Sequence, residues 1–235
     1  LSGVLSSMGD LKGARDLYKK VLSTYAFQLS DDDGYVTWLR GALGVTHYYL
    51  KEYGPALQLY DRVIDAQKAK LPEDDKEVLE NRTLRGVMLI ELDRADEAVS
   101  ELQKIVRAYE EKYPQNKGGL RLALANLGAA YVHLEKNKDA LPIQERVLKL
   151  CDGDLKDGDD ELQFHRLSLA CTLSVLGELE RARDLFKKII DVETRSKNRN
   201  EGRSAESKKR LARIEKRMRE KKSAKPRAQE DSEEK

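Results

Sequence analysis

An alanine recurs every 42 residues along most of this chain: Ala14, Ala56, Ala98, Ala140 and Ala182 form five copies with no insertion or deletion between them. Other positions keep the same register. Twelve residues before each alanine stand Ser2, Gly44, Gly86, Gly128 and Ala170, all small. Six before it stand Met8, Leu50, Leu92, Leu134 and Leu176. Four after it stand Tyr18, Tyr60, Leu102, Gln144 and Phe186, and seven after it Val21, Val63, Ile105, Val147 and Ile189. Only Gln144 breaks the apolar pattern. Small residues let two helices come close, and large apolar ones fill the space beside the contact. A small residue on one helix opposite an alanine on the next therefore predicts a tight helix–helix crossing. One helix pair cannot bury such stripes alone, so adjacent pairs must stack. A strict period of this length marks a helical solenoid rather than a domain built round one central core.

The periodicity predicts first helices over roughly 35–50, 75–92, 118–135 and 160–176, and second helices over roughly 11–29, 54–70, 95–113, 138–151 and 179–195. Breaks fall at Asp31–Gly34, at Leu71–Asp75 with Pro72, at Pro114–Gly119 and from Asp152 to Asp160. Pro55 stands in a first turn, where its missing N–H costs little, and Pro142 slightly deeper. Residues 1–8 read as the end of a first helix. The chain opens at Leu1 without a basic-then-apolar signal pattern, as a fragment or processed form would.

Composition narrows the function classes. Of 235 residues, 37% are charged and 40% hydrophobic, enough apolar material for one elongated domain, and the net charge is only +2. Two cysteines, Cys151 and Cys171, are too few for a disulfide framework and read as reduced, buried thiols of a cytoplasmic-type compartment. No apolar run reaches the length of a membrane-spanning helix. The three histidines, His47, His133 and His165, sit in separate repeats, and no cysteine pair has C-x-x-C spacing, so no metal or other cofactor is expected. No phosphate-binding glycine loop and no nucleophile elbow is present. The acidic loop around Asp152–Glu161 has Lys156 where a calcium loop needs an acid, and reads as a solvated turn. Nothing in the pattern points to an enzyme.

The segment LANLGAAYVHLEKNKDALPIQERVLKL, residues 124–150, resembles a tetratricopeptide (TPR) unit, with Leu127, Gly128, Tyr131 and Ala140 on that motif's leucine, glycine, tyrosine and alanine. The 42-residue unit, the Asn126-Leu127 step and the Ala140-x-Pro142 sequence together resemble the repeats of kinesin light chain, over roughly residues 1–195. The resemblance implies an all-α, right-handed α-solenoid of TPR-type hairpins. It also implies a non-catalytic adaptor or scaffold whose concave groove, lined by first helices, takes a partner peptide or helix, as in kinesin-light-chain-like cargo binding. Asparagines in that family's groove clamp peptide backbone. Asn126 fills this position here, and Ala42, Leu84 and Ser168 hold its equivalents. A second TPR mode, the grip on a chaperone's C-terminal carboxylate, needs asparagine after the small residue of the first helix; Val45, Val87 and Ala129 stand there instead and exclude it.

The register places Trp38, Val45, Tyr48, Tyr49, Arg82, Arg121, Asn126, His133 and Arg166 on the groove side of the first helices. Aromatic and arginine side chains are over-represented among binding hot spots. Trp38 and Tyr48 equally suit packing between neighbouring hairpins, and Arg40, Arg82 and Arg166, which share one repeat position, equally suit solvated charges.

Beyond residue 195 the character changes. Residues 203–222 carry net +7 and 223–235 net −1, which leaves −4 for residues 1–202. In register, Leu211 and Ala212 fall on the leucine and small-residue positions of a degenerate sixth first helix and Met218 on its later leucine position, so 196–222 reads as a basic helix capping the solenoid and 223–235 as a disordered tail. Two other readings stand beside the adaptor: a regulatory TPR module of a larger enzyme or NTPase, and RNA association or nuclear import through the basic run 208–222. Nucleic acid is the lesser expectation, because the run holds no aromatic residue for base stacking.

Overall fold

The computed structural model describes residues 10–25, 28–195 and 200–233, and every regular element among them is an α-helix. The expected helix end over residues 1–8 lies outside the described residues. The chain divides into two compact units, Leu1–Leu134 and Glu135–Lys235.

The first unit holds α1 (Leu11–Tyr25), α2 (Gly34–Tyr49), α3 (Tyr53–Lys68), α4 (Lys76–Glu91), α5 (Ala95–Lys112) and α6 (Lys117–His133), each packed against the next in chain order. Their starts follow from side-chain chemistry. Asp33 caps α2 by accepting from the Tyr35 and Val36 amides at 2.8 and 3.3 Å, Asp75 caps α4 through Glu77 N at 2.9 Å, and Asn116 caps α6 through Gly119 N at 3.1 Å.

The turn from first to second helix repeats a backbone device invisible in composition. Lys51, Asp93 and Glu135 adopt φ of 61°, 59° and 58°, and Gly177 adopts 85°: four positions spaced by the 42-residue period. The left-handed region suits glycine and strains a residue with a Cβ by roughly 1 kcal/mol or more. Replacing the exposed Lys51 by glycine is therefore expected to raise stability by about 0.5–1 kcal/mol in urea unfolding, and Gly177→Ala to lower it by about 1 kcal/mol.

The repeat alanines are the tightest points of both units. Ala14, Ala56, Ala98, Ala140 and Ala182 are all fully buried. The small residues opposite make room for a specific neighbour, the side chain four residues after each alanine. A Cβ on Gly44 would stand 2.8 Å from the Tyr60 ring, and one on Gly86 3.3 Å from Leu102.

His47, near the end of α2, is buried with its Nδ1 against Glu52 Oε2. Burial lowers its pKa below 6.5, while Glu52 pulls the other way. Well above pH 6.5 the imidazole is neutral in both folded and unfolded chains, so it adds no pH dependence there. Below that the unfolded chain takes up a proton that the buried ring resists, so stability falls as pH drops. The expected slope between pH 6.5 and 5 is at most about 1.4 kcal/mol per pH unit for this one site, and His47→Gln should remove it from a pH series of unfolding curves.

The second unit holds α7 (Asn137–Cys151), α8 (Asp160–Leu176), α9 (Leu179–Arg195) and α10 (Glu201–Glu233). Its core gathers Leu169, Ala170, Leu173, Leu179, Ala182, Phe186, Ile189 and Ile214. Gln144, the break in the apolar pattern, donates from Nε2 to Ser168 Oγ at 2.9 Å. Helix α10 packs on α9 through Leu211 and Met218, as the register predicts, with Ile214 added and Ala212 left out. Ala212 is exposed, whereas Ile214 is 1% exposed, with Leu211 and Met218 beside it. Ile214 occupies the repeat position of Thr46, Met88 and Thr172, all buried. The small-residue position is covered elsewhere by the following second helix, and none follows α10 among the described residues, so Ala212 stays open. Helix α10 also continues through Glu233, past the boundary expected at residue 222.

Candidate partner-binding groove

Helices α2 and α4 stand as the walls, and α3 as the floor, of a cleft of about 460 Å³ in the first unit. Trp38, Ala42 and Val45 line one side, spaced along one face of α2, and Asn81 lines the other. Val63, Ala66 and Gln67 form the floor. The small residues at Gly41 and Ala42 keep this wall low, so the cleft stays open beside Trp38.

Trp38 is 58% exposed, its ring stacked on Tyr35 (centroids 5.9 Å apart, planes 18° apart) and edge-on to Tyr18 at 6.4 Å. That geometry fixes an aromatic surface without burying it. The polar side is also held in place. Gln67 Nε2 donates to Glu77 Oε1 at 2.8 Å, and Asn81 Nδ2 donates to Gln67 Oε1 at 3.0 Å. At the rim Lys70 Nζ pairs with Asp32 Oδ2 at 2.9 Å and donates to the Asp32 carbonyl. Hydrogen bonds from Ser30 and then Lys70 hold the Asp32 carboxyl at a pKa of about 2.

Of the residues expected in the groove, Trp38 and Val45 come together here. Tyr49, 63% exposed, and half-buried Tyr48 sit at the far end of α2, where Tyr48 meets Tyr49 and Tyr53 at 5.6 and 5.7 Å. On α6, Arg121 is buried, and Asn126 is half-buried with its amide nitrogen shielded and without a hydrogen-bond partner. His133 is exposed, its Nε2 3.0 Å from Asp93 Oδ1.

The arginines differ from expectation. Arg40 and Arg166 are buried, not solvated, and Arg82 is largely covered. Each reaches back to the residue nine positions earlier, in the loop before its own helix. Arg40 bonds the carbonyl and carboxylate of Asp31, Arg82 Nη1 donates to the Glu73 carbonyl at 3.3 Å, and Arg166 bonds the Asp157 carboxylate. Arg82 Nε also donates to Glu101 Oε1 at 3.0 Å, a carboxylate shared with Arg85. One repeat position thus ties a first helix to its own entry loop. The Arg166 guanidinium depresses the Asp157 pKa in doing so.

Sequence reasoning missed Gln67, Glu77 and Asn81. The available signal was Gln67 itself, a polar residue at a position that holds Tyr25, Tyr109 and Cys151 in three copies and the polar Glu193 in the last. Among the described residues no cluster of three or more His, Cys, Asp or Glu side chains is arranged to hold a metal ion, and no helix is long and apolar enough to cross a membrane.

This architecture is the all-α fold of TPR-type helical hairpins, a repeat fold that presents extended binding surfaces. Residues 121–151 match the tetratricopeptide repeat family. No curated protein sequence matches the chain. Among solved structures, the putative kinesin light chain nearly identical TPR-like repeats of Podosopora anserina superpose with a TM-score of 0.68 at 16% identity, covering 84% of this chain and 94% of that one. BtubC (BKLC) of P. vanneervenii gives 0.69 at 15% identity, covering 83% and 77%. YrrB, described as a TPR protein with an unusual peptide-binding site, gives 0.52 at 17% identity, covering 88% of each chain.

Proposed function

We propose that this chain is a non-catalytic adaptor whose first unit holds a partner peptide in the cleft between α2 and α4. The observation that carries the reading is an open cleft beside a tryptophan that is 58% exposed yet fixed by stacking on Tyr35. An exposed tryptophan already stacked on a neighbouring ring has less conformational entropy to lose when a partner covers it, which suits a binding hot spot. The lining suggests the guest's chemistry. The apolar wall of Trp38, Ala42 and Val45 takes a bulky apolar side chain, while the Asn81 side-chain oxygen on the other side, whose amide nitrogen is already held by Gln67 and the Glu77 carbonyl, can accept from a backbone N–H of an extended segment. YrrB, alike in fold, has a peptide-binding site, and the likeness to kinesin-light-chain repeats favours a cargo-type partner. Asn126, Tyr49 and His133 are further contacts in this reading, whereas Arg82 and Arg166 act as loop ties.

The test is a measured affinity. A partner captured by photo-crosslinking from Val45 is expected to bind Trp38→Ala at least tenfold more weakly than the parent chain, with circular dichroism and melting unchanged. A Trp38→Ala, Asn126→Ala variant that is folded and binds the same partner equally well would show the groove assignment to be wrong.

A further inference from the structure

Docking of α10 divides its side chains into two faces. Ser207, Leu211, Ile214 and Met218, at the i, i+4, i+7, i+11 spacing of one helical stripe, are turned into the second unit. The opposite arc carries Lys208, Lys209, Arg213, Lys216 and Arg219, all exposed. Among the described residues only Lys216 of these five has an ion-pair partner, Glu220 at 3.9 Å on the same helix. The other cations of the docked stretch point elsewhere and are occupied: Arg203 by Glu193 and Asp160, Arg210 by Glu206, and Arg217 by the Ser174 carbonyl. Five cations therefore lie along roughly 16 Å of one rigid helix face.

We propose that this face binds double-stranded nucleic acid through its phosphate backbone, without reading sequence. A duplex carries one negative charge per about 1.7 Å of axis, and a straight basic helix can lie along it and release condensed counterions. Single strands fit poorly, because α10 offers no aromatic ring for base stacking. A membrane surface fits poorly for a structural reason. Helices that lie in a lipid interface need a free apolar face opposite the basic one, and the apolar face of α10 is already spent on Leu173, Phe186 and their neighbours. This inference is independent of the cleft in the first unit.

Fluorescence anisotropy of the whole chain with labelled 24-base-pair DNA and RNA duplexes, from 50 to 200 mM KCl, tests it. Five phosphate contacts predict a slope of about −4.5 in log affinity against log salt, a loss of roughly 500-fold over that range. The variant Lys209→Gln, Arg213→Gln, Lys216→Gln, Arg219→Gln makes no change to the docked face, so its melting curve should match the parent. Its slope should fall to about −1 and its affinity at 50 mM salt by at least 50-fold. The proposal is overturned if neither duplex binds at 50 mM salt, if the slope is no steeper than about −1, or if the folded variant binds like the parent. Binding to phosphatidylserine vesicles without duplex binding would likewise overturn it, in favour of a lipid partner.

Discussion

Replacing Glu193 by alanine is expected to lower the stability of the Glu135–Lys235 unit by about 3 kcal/mol and to release α10 from α9. The Glu193 side chain is 2% exposed. Its carboxylate accepts from Arg203 Nε and from the Asn200 amide at 2.6 Å, at the entry to α10. Arg203, 11% exposed, divides its guanidinium between Glu193 and Asp160 Oδ1, the latter at 2.7 Å. Removing one partner of a buried ion pair costs about 3–5 kcal/mol, because the other charge stays behind unpaired. Asp160 remains to share the Arg203 charge, which sets the expectation at the lower end. Glu193→Gln keeps the shape and the acceptor for Asn200 and should cost about 1–2 kcal/mol. Replacing Glu193 and Arg203 together by leucine should cost much less than the sum of the single changes, since neither charge is then stranded. Urea unfolding gives the energies, and trypsin, which cuts at the basic residues of α10, reports its release. A Glu193→Ala chain within about 0.5 kcal/mol of the parent and equally resistant to trypsin would mean that Ile214 and its apolar neighbours alone hold the cap.

The fold was legible because it depends on side-chain volume at fixed spacing, and volume shows in a sequence. Five alanines and their small counterparts predict helices that match the observed ones to within two residues at nearly every described end, α8 (Asp160–Leu176) and α9 (Leu179–Arg195) among them. Three features were not legible, each for a physical reason. The left-handed turn at Lys51, Asp93, Glu135 and Gly177 is a property of the backbone, and four dissimilar side chains disguise it. The arginine ties were misread because charge at a helix surface normally means solvation. Their partners are loop residues nine positions back, two of them backbone carbonyls that no residue pattern displays. On α10, Leu211 and Met218 dock as the register predicts, but the buried Ile214 and the exposed Ala212 do not follow from it, because the repeat register encodes two faces and a terminal helix uses only one. The cleft was half legible. Trp38 and Val45 follow from register, whereas Gln67 and Asn81 are set by how α3 and α4 meet.

The small-residue position gives the second large effect. Gly44→Ala is expected to destabilise the first unit by about 2 kcal/mol, against the roughly 1 kcal/mol that alanine ordinarily gains over glycine inside a helix. The new methyl would stand 2.8 Å from the ring of Tyr60, which is 1% exposed and far stiffer than an aliphatic chain. The other copies calibrate this. At Gly86 the same methyl would meet Leu102 at 3.3 Å, a flexible branched chain that can yield a few tenths of an ångström, so Gly86→Ala should be nearly neutral. In the second unit the chain itself carries alanine at this position: Ala170 and Phe186 are both fully buried in one core, so a methyl and a ring coexist there. The expected clash at Gly44 is with the Tyr60 ring in particular. Shortening the ring should relieve it. In the pair Gly44→Ala, Tyr60→Leu, the combined loss is expected to fall short of the sum of the two single losses by about 1 kcal/mol, because the added methyl then occupies space the ring has vacated. Urea midpoints of the four chains measure this coupling. If Gly44→Ala proves as stable as the parent, the helices have moved apart to admit the methyl, and close approach at this position is not what the repeat maintains.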